Sequence, residues 1–185
     1  MLKKIFRQTE DEMQKAIDDL EHEFSTIRTG RATPALLSGV LVEAYGSKAP
    51  IKQIASISIP DARSIMIQPW DKSTLGEIEK AILAANLGFT PTNDGRVIRI
   101  NLPTLTEERR KEFVKMAKQM SEEARIKIRN IRRKHKDEVK RLEKDHQISE
   151  DEMYTDIDKI QELTDKHVKN VDELLEKKEK EIMEV

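Results

Sequence analysis

The chain has 185 residues, of which 37% are hydrophobic, 37% are charged and only 4% are aromatic, with a net charge of -1 and no cysteine. This length suits one domain or a helical domain carrying a small insert; the lack of cysteine excludes disulfides, thiol catalysis and cysteine metal sites and suits a reducing cytoplasm; and no apolar run approaches the roughly 20 residues that span a bilayer. So much charge suits long helices with one buried stripe, and because the total is near neutral, local charge is what bears on a nucleic-acid partner.

The first segment runs to about Arg28. Met13, Ile17, Leu20, Phe24 and Ile27 recur at steps of three and four, with Ala16 on the same side, which predicts one amphipathic helix. Acidic residues enter this stretch before any sustained apolar core, so a secretory signal is not expected. Gly30 and Pro34 then break the pattern.

From Val40 to Asn101 the composition shifts to Ile, Val, Ser, Gly and Pro. VLVEAY, IASISI, RSIMIQ and RVIRI read as short strands. Between them, Leu75, Ile78 and Ile82 have helix spacing, and Asn86 and Gly88 suit that helix's exit. Asn93-Asp94-Gly95 is a turn signal before RVIRI. Trp70 and Tyr45 are read as core residues of this β/α insert, with a second contact surface as the alternative; Pro34, Leu36 and Leu37 either pack the junction or face a partner.

Thr104 with Glu107 can form a capping box that opens a very long helix. Phe113, Ala117, Met120, Ala124, Ile128, Ile131, His135, Val139 and Leu142 hold one stripe, and neither Gly nor Pro occurs from Thr104 to the C-terminus. Ser149 and Glu152 offer a second capping box, ahead of a last helix carrying Met153, Ile157, Ile160, Leu163, His167, Val171 and Leu174. A helix from about 106 to 147 is roughly 60 Å long and needs partners along its length. The first and last helices are the available ones, so the predicted fold is α+β: a long antiparallel three-helix bundle from 1–29 and 105–185, with residues 30–104 as a small β/α/β insert. The chain crosses between them near Gly30 and near Leu102-Pro103-Thr104, which makes a hinge or a plain domain boundary.

Charge is concentrated on the long helix. Arg125 to Arg141 holds nine Lys or Arg against Asp137 and Glu138, whereas the chain from Glu143 onward carries fifteen acidic and seven basic residues. Arg125, Arg129, Arg132, Arg133 and Lys136 form a ridge beside the Ile128-Ile131-His135 stripe. Arginine's planar fork matches phosphate oxygens, so a row of forks on a stiff helix suits a shaped RNA backbone and carries little base specificity alone. The scarcity of aromatics disfavours single strands bound by stacking. Against this stands a bland reading, in which Asp156, Asp158, Glu162 and Asp165 simply pair with the ridge.

No catalytic site is legible. There is no GxxxxGK[ST], GxGxxG or HExxH, and the histidines are scattered: His135 and His167 read as interior residues, His22 and His146 as solvated ones. Glu150-Asp151-Glu152 sits at a helix start, where negative charge is stabilised without catalysis. No enzyme activity, cofactor or metal is expected.

IRTGRATPALL at 27–37, Tyr45-Gly46, LPTLTEERRKEF at 102–113, ARIKIRNIRRK at 124–134 and ISEDE at 148–152, in this order and spacing, resemble the bacterial ribosome recycling factor family over essentially the whole chain. The resemblance implies a bundle and insert arranged as an L, and a cytoplasmic monomer that binds post-termination 70S ribosomes. It implies contact with large-subunit rRNA near the peptidyl-transferase region, subunit splitting with elongation factor G, which hydrolyses the GTP, release of mRNA and tRNA, and an initiation factor that keeps the subunits apart. Carried over residue by residue, it assigns rRNA contact to Arg132 above all, then Arg129, Arg133, Arg110 and Arg31, and a hinge to Gly30, Arg31, Leu102, Pro103 and Thr104. Asn101 departs from the proline of some relatives and bears on the stiffness of the elbow. Two other classes share parts of the pattern: a nucleic-acid-binding module unrelated to the ribosome, which needs no GTPase partner, and a self-associating coiled-coil scaffold.

Overall fold

The computed structural model describes residues 1–184. The chain separates into two compact units, Met1–Thr29 with 107–184, and Gly30–Thr106.

The first unit is made of three helices, α1 (Leu2–Ser25), α4 (Glu107–Lys144) and α5 (Glu150–Met183), which all pack on one another. In α1 the predicted face is buried, with Met13, Ala16, Ile17, Leu20 and Phe24 joined by Ile5 and Thr9. Thr9 is tolerated there because its hydroxyl donates to the Ile5 carbonyl at 2.8 Å. From Met13 to Phe24 these side chains form one core with Ala117, Ala124, Ile128, Leu163, Val171 and Ile182, while Ile5 joins Val139 and Ile160 in a second cluster. The 38 residues of α4 rise about 57 Å.

Both ends of the turn between α4 and α5 are explained by local chemistry. His146 takes a left-handed φ of 56°; its N–H donates to the Glu143 carbonyl and that of Gln147 to the Leu142 carbonyl, both at 2.9 Å. This is the hydrogen-bond pattern a glycine normally supplies at a helix end, built here on a histidine. Ser149 then caps α5: its hydroxyl accepts from the Glu152 N–H at 3.2 Å while the Glu152 carboxylate accepts from the Ser149 N–H at 2.8 Å, the reciprocal pairing expected of this sequence. The start of α4 differs from expectation. The helix begins at Glu107, two residues later than a Thr104 cap would place it, and the Thr104 hydroxyl instead accepts from the Arg63 guanidinium.

The second unit contains a hairpin of β1 (Leu41–Ala44) and β2 (Ser47–Pro50), the short α2 (Ile51–Ile54), β3 (Ala55–Asp61), β4 (Ser64–Pro69), α3 (Leu75–Ala84), β5 (Pro91–Asn93) and β6 (Ile98–Asn101). The last four strands form one antiparallel sheet in the order β3-β4-β6-β5. Its core joins Ile65, Ile67, Ile98 and Ile100 of the sheet to Leu75, Ile78 and Ile82 of α3. Leu37, 2% exposed, belongs to this core, whereas Pro34 is exposed at the start of a short 3-10 turn.

Trp70 and Tyr45 are not core residues: they are 73% and 76% exposed. Tyr45 occupies the two-residue turn between β1 and β2, where it and Gly46 both have positive φ (54° and 79°). The tip of such a turn points its side chain away from the sheet, and the Tyr45 hydroxyl is held instead by Asp71 at 2.7 Å. Trp70 lies just past β4, tied through its backbone N–H to Ile54.

The segments through which the chain enters and leaves this unit are fastened to one place, the turn between β3 and β4. Ala32 donates its N–H to the Ala62 carbonyl and Leu102 to the Arg63 carbonyl, each at 2.8 Å. Gly30 (φ 76°) has Leu105 against it, 3.3 Å from where a Cβ would stand, so Leu105 sits with this unit.

Candidate nucleic-acid interface

The ridge on α4 resolves into side chains with different duties. Arg125 is mostly taken up by the fold. Its guanidinium donates to Asp172 of α5 through Nη2 at 2.6 Å and Nε at 3.0 Å, and to Glu122 at 3.1 Å, with the side chain only 18% exposed. Burial alone would lower its pKa, but Asp172 and Glu122 outweigh burial and hold it above the usual arginine value. Lys134 reaches Glu12 of α1 at 2.8 Å but its side chain stays exposed.

The next arginines are not consumed in this way. Arg129 meets Glu122 at 3.3 Å, and Arg132 donates only to the neutral Gln161, at 3.3 Å. For Arg133, which is exposed, no hydrogen bond or ion pair with another described residue is found. Each guanidinium has five N–H donors, so most of the donor capacity of these three residues faces outward. None of Asp156, Asp158, Glu162 and Asp165 forms an ion pair with the ridge among the described residues: Asp156 pairs with Lys159, and Asp165 accepts from Gln161. The bland reading, a ridge neutralised by the last helix, therefore holds for Arg125 and not for its neighbours. The residue that neutralises Arg125 is Asp172, which no local spacing singles out.

Arg110 stands apart. It lies about 28 Å from Arg129 along α4, is 9% exposed, and donates through Nη1 to the carbonyls of Met183 and Glu184 at 3.0 and 2.9 Å. A cation on the last carbonyls of a helix satisfies orphan acceptors and complements the helix dipole. The structure thus gives Arg110 a fastening task on α5 and leaves it little surface to offer RNA. Arg31 is exposed in the second unit.

His135 and His167 are interior, 1% and 2% exposed. His135 lies between Glu138 at 3.1 Å and Glu12 at 3.3 Å, and His167 has its Nδ1 2.7 Å from the Leu163 carbonyl. His22 and His146 are exposed. Among the described residues, no group of three or more His, Asp or Glu side chains is placed to hold a metal ion, and no helix is long and apolar enough to cross a membrane.

A stiff helical unit with an open arginine face, joined twice to a small β/α unit, defines a protein that works by presenting a surface. The chain belongs to the ribosome recycling factor family, whose model, described as "Ribosome recycling factor", matches residues 20–183. Ribosome-recycling factors of Carboxydothermus hydrogenoformans and Bacillus subtilis are 57% and 50% identical to it over 185 residues, covering all of both chains. Among solved structures, a solution structure of the ribosome recycling factor superposes with a TM-score of 0.79 at 45% identity, covering 100% of this chain and 98% of that one. A Thermus thermophilus ribosome recycling factor, described with Escherichia coli elongation factor G bound to the E. coli post-termination complex, superposes with a TM-score of 0.65 at 46% identity over 100% of both chains. The family's role is ribosome recycling, and the factor is not itself an enzyme.

Proposed function

We propose that this chain binds post-termination 70S ribosomes through Arg129, Arg132 and Arg133 of α4, which act as phosphate clamps on large-subunit rRNA near the peptidyl-transferase region. The carrying observation is the donor capacity left open on these three residues, whose one ion pair among the described residues is Arg129 with Glu122, while Arg125 beside them is locked between Asp172 and Glu122. Arg31, exposed in the second unit, adds a lesser phosphate contact, and Arg110 acts indirectly by fastening α5. Elongation factor G supplies the energy by hydrolysing GTP, subunits part, mRNA and tRNA leave, and an initiation factor prevents reassociation. The protein acts in the cytoplasm as a monomer.

Gly30, Arg31, Leu102, Pro103 and Thr104 form the hinge set. Because 32 and 102 are each bonded to the β3–β4 turn, a push on the insert reaches both crossing segments together, and bending concentrates beyond them, toward Thr29 and Thr106.

Light scattering of purified post-termination ribosomes tests this reading. The expected outcome is a drop that requires the protein, elongation factor G and GTP together. Arg132→Ala should keep the fold, weaken large-subunit binding and reduce the salt slope of that binding by about one. Binding by Arg132→Ala equal to that of the parent at every salt concentration would remove Arg132 from the interface, and absence of both binding and splitting by the parent would remove the ribosome reading.

A further inference from the structure

The outward arginines border a groove between α4 and α5, of about 320 Å3, whose lining includes Arg129, Arg132, Gln161, Asp165, Val168 and Lys169. A site built only to grip phosphate would hold cations and neutral donors. This one has two carboxylates among its cations, Asp172, which is taken up by Arg125, and Asp165. Arg132 donates to Gln161 Oε1 at 3.3 Å, and Gln161 Nε2 donates to Asp165 Oδ1 at 2.9 Å, so an ordered polar chain runs from one helix to the other. Asp165 is exposed and gives no ion pair to either arginine. An ionised carboxylate can only accept, and it has more acceptor sites than the one bond from Gln161 uses. It repels phosphate, whereas the N–H groups on the edge of a base suit it.

Size and composition narrow the occupant further. A groove of this size has room for a single planar base. Val168, half-buried against the bundle core, offers apolar surface, and an arginine plane can stack on a base face. The Arg132–Gln161 bond is long and lies near the surface, so a ligand carbonyl can replace it at little cost. Resting on the RNA reading above, we propose that this groove is a nucleobase site that takes one unpaired guanine of structured RNA. Asp165 accepts from the guanine N1–H and N2–H, Arg132 donates to O6, and Arg129 and Lys169 hold the flanking phosphates. The arginine ridge then supplies affinity, and the groove supplies the base recognition that the ridge lacks.

The sign of one substitution separates this from a phosphate-only surface. Asp165→Asn removes a negative charge beside the RNA, which tightens binding if the groove meets phosphate alone and weakens it if the carboxylate reads a base. Large ribosomal subunits with the full-length protein are the probe. Kethoxal reports on the N1/N2 edge of unpaired guanines, and hydroxyl radicals report on the backbone. The parent should protect at least one unpaired guanine from kethoxal. Asp165→Asn should bind about tenfold more weakly, in line with one bidentate base contact, and at saturation should lose that protection while keeping the backbone footprint. Gln161→Ala should act in the same direction, and unchanged circular dichroism and urea midpoints exclude misfolding. Tighter or equal binding by Asp165→Asn, or no guanine protected by the parent, overturns the groove assignment and leaves the ridge standing. Absence of any backbone footprint by the parent overturns both.

Discussion

Arg125 and Arg132 are seven positions apart on one helix, yet they do different work because of what faces them on α5. Arg125 meets the carboxylate of Asp172, Arg132 the neutral amide of Gln161. Arg125→Ala should therefore behave as a stability mutant, lowering the urea midpoint by an amount worth about 1 kcal/mol, with little change in large-subunit binding by sedimentation. A large binding loss at unchanged stability would place Arg125 on the interface after all. Glu12 gives a pH-dependent counterpart. The hydrogen bond from Lys134 chiefly, aided by His135, outweighs burial and holds its carboxyl below the ordinary value of 4.5. A depressed carboxyl stabilises the fold fully above that value and loses the contribution as pH falls through the lowered one. Glu12→Gln should thus be less stable than the parent at neutral pH, and the gap between their urea midpoints should close on acidification below about 4.5. A gap that stays constant to pH 3 would show that the charge of Glu12 contributes nothing.

Among the elements, α5 depends on contacts at both ends. Ser149 and Glu152 close its start within four residues of sequence. Its last carbonyls are held across the bundle by Arg110, 73 residues earlier in the chain. Removing a buried cation from carbonyls it satisfies costs roughly 2–3 kcal/mol, so Arg110→Ala should lower the urea midpoint by that much and speed amide exchange in the final turns of α5. RNA affinity measured well below the midpoint should change less than for Arg132→Ala. The reverse ranking would return Arg110 to the RNA surface. The ridge is continuous because, with no Gly or Pro from 104 onward, α4 is unbroken from Glu107 to Lys144, which keeps Arg129, Arg132 and Arg133 at fixed spacing.

Among the described residues the two units share no core side chain: the bundle holds one cluster around Ile128 and a smaller one of Ile5, Val139 and Ile160, and the insert holds its own. Ile128 and its neighbours fill the bundle, and Ile65, Ile67, Ile98 and Ile100 fill the insert. Deleting buried aliphatic volume costs about 2–5 kcal/mol. Ile67→Ala should accelerate amide exchange throughout the insert and leave the slowest amides of α4 as they were, and Ile128→Ala should do the opposite. Equal acceleration of both units by either variant would show a single cooperative unit. Independent cores suit the mechanism proposed above, in which one unit keeps its grip on the ribosome while the other is pushed.

Local rules suffice for three elements and fail at the start of α4, where Thr104 accepts from the distant Arg63 instead of capping the helix. The stripe of α1 from Met13 to Phe24, the face of α3 through Leu75, Ile78 and Ile82, and the Ser149–Glu152 box depend on residues within a few turns of each other, and all three are present. The strands β2 and β5 were not legible, because SKAP and PTN carry no alternation and exist only through their partners β1 and β6. Tyr45 and Trp70 escape sequence reading for a related reason: size and apolarity suggest burial, but Tyr45 falls in the turn between β1 and β2 and Trp70 just past the end of β4, and both side chains are exposed there. The arginine ridge could be read from spacing on α4, and the family resemblance follows from residues along the whole chain. Which arginines remain open could not be read, since charge is a property of the sequence whereas neutralisation depends on the side chain that tertiary packing sets opposite: Asp172 for Arg125, Gln161 for Arg132, and the carbonyls of Met183 and Glu184 for Arg110.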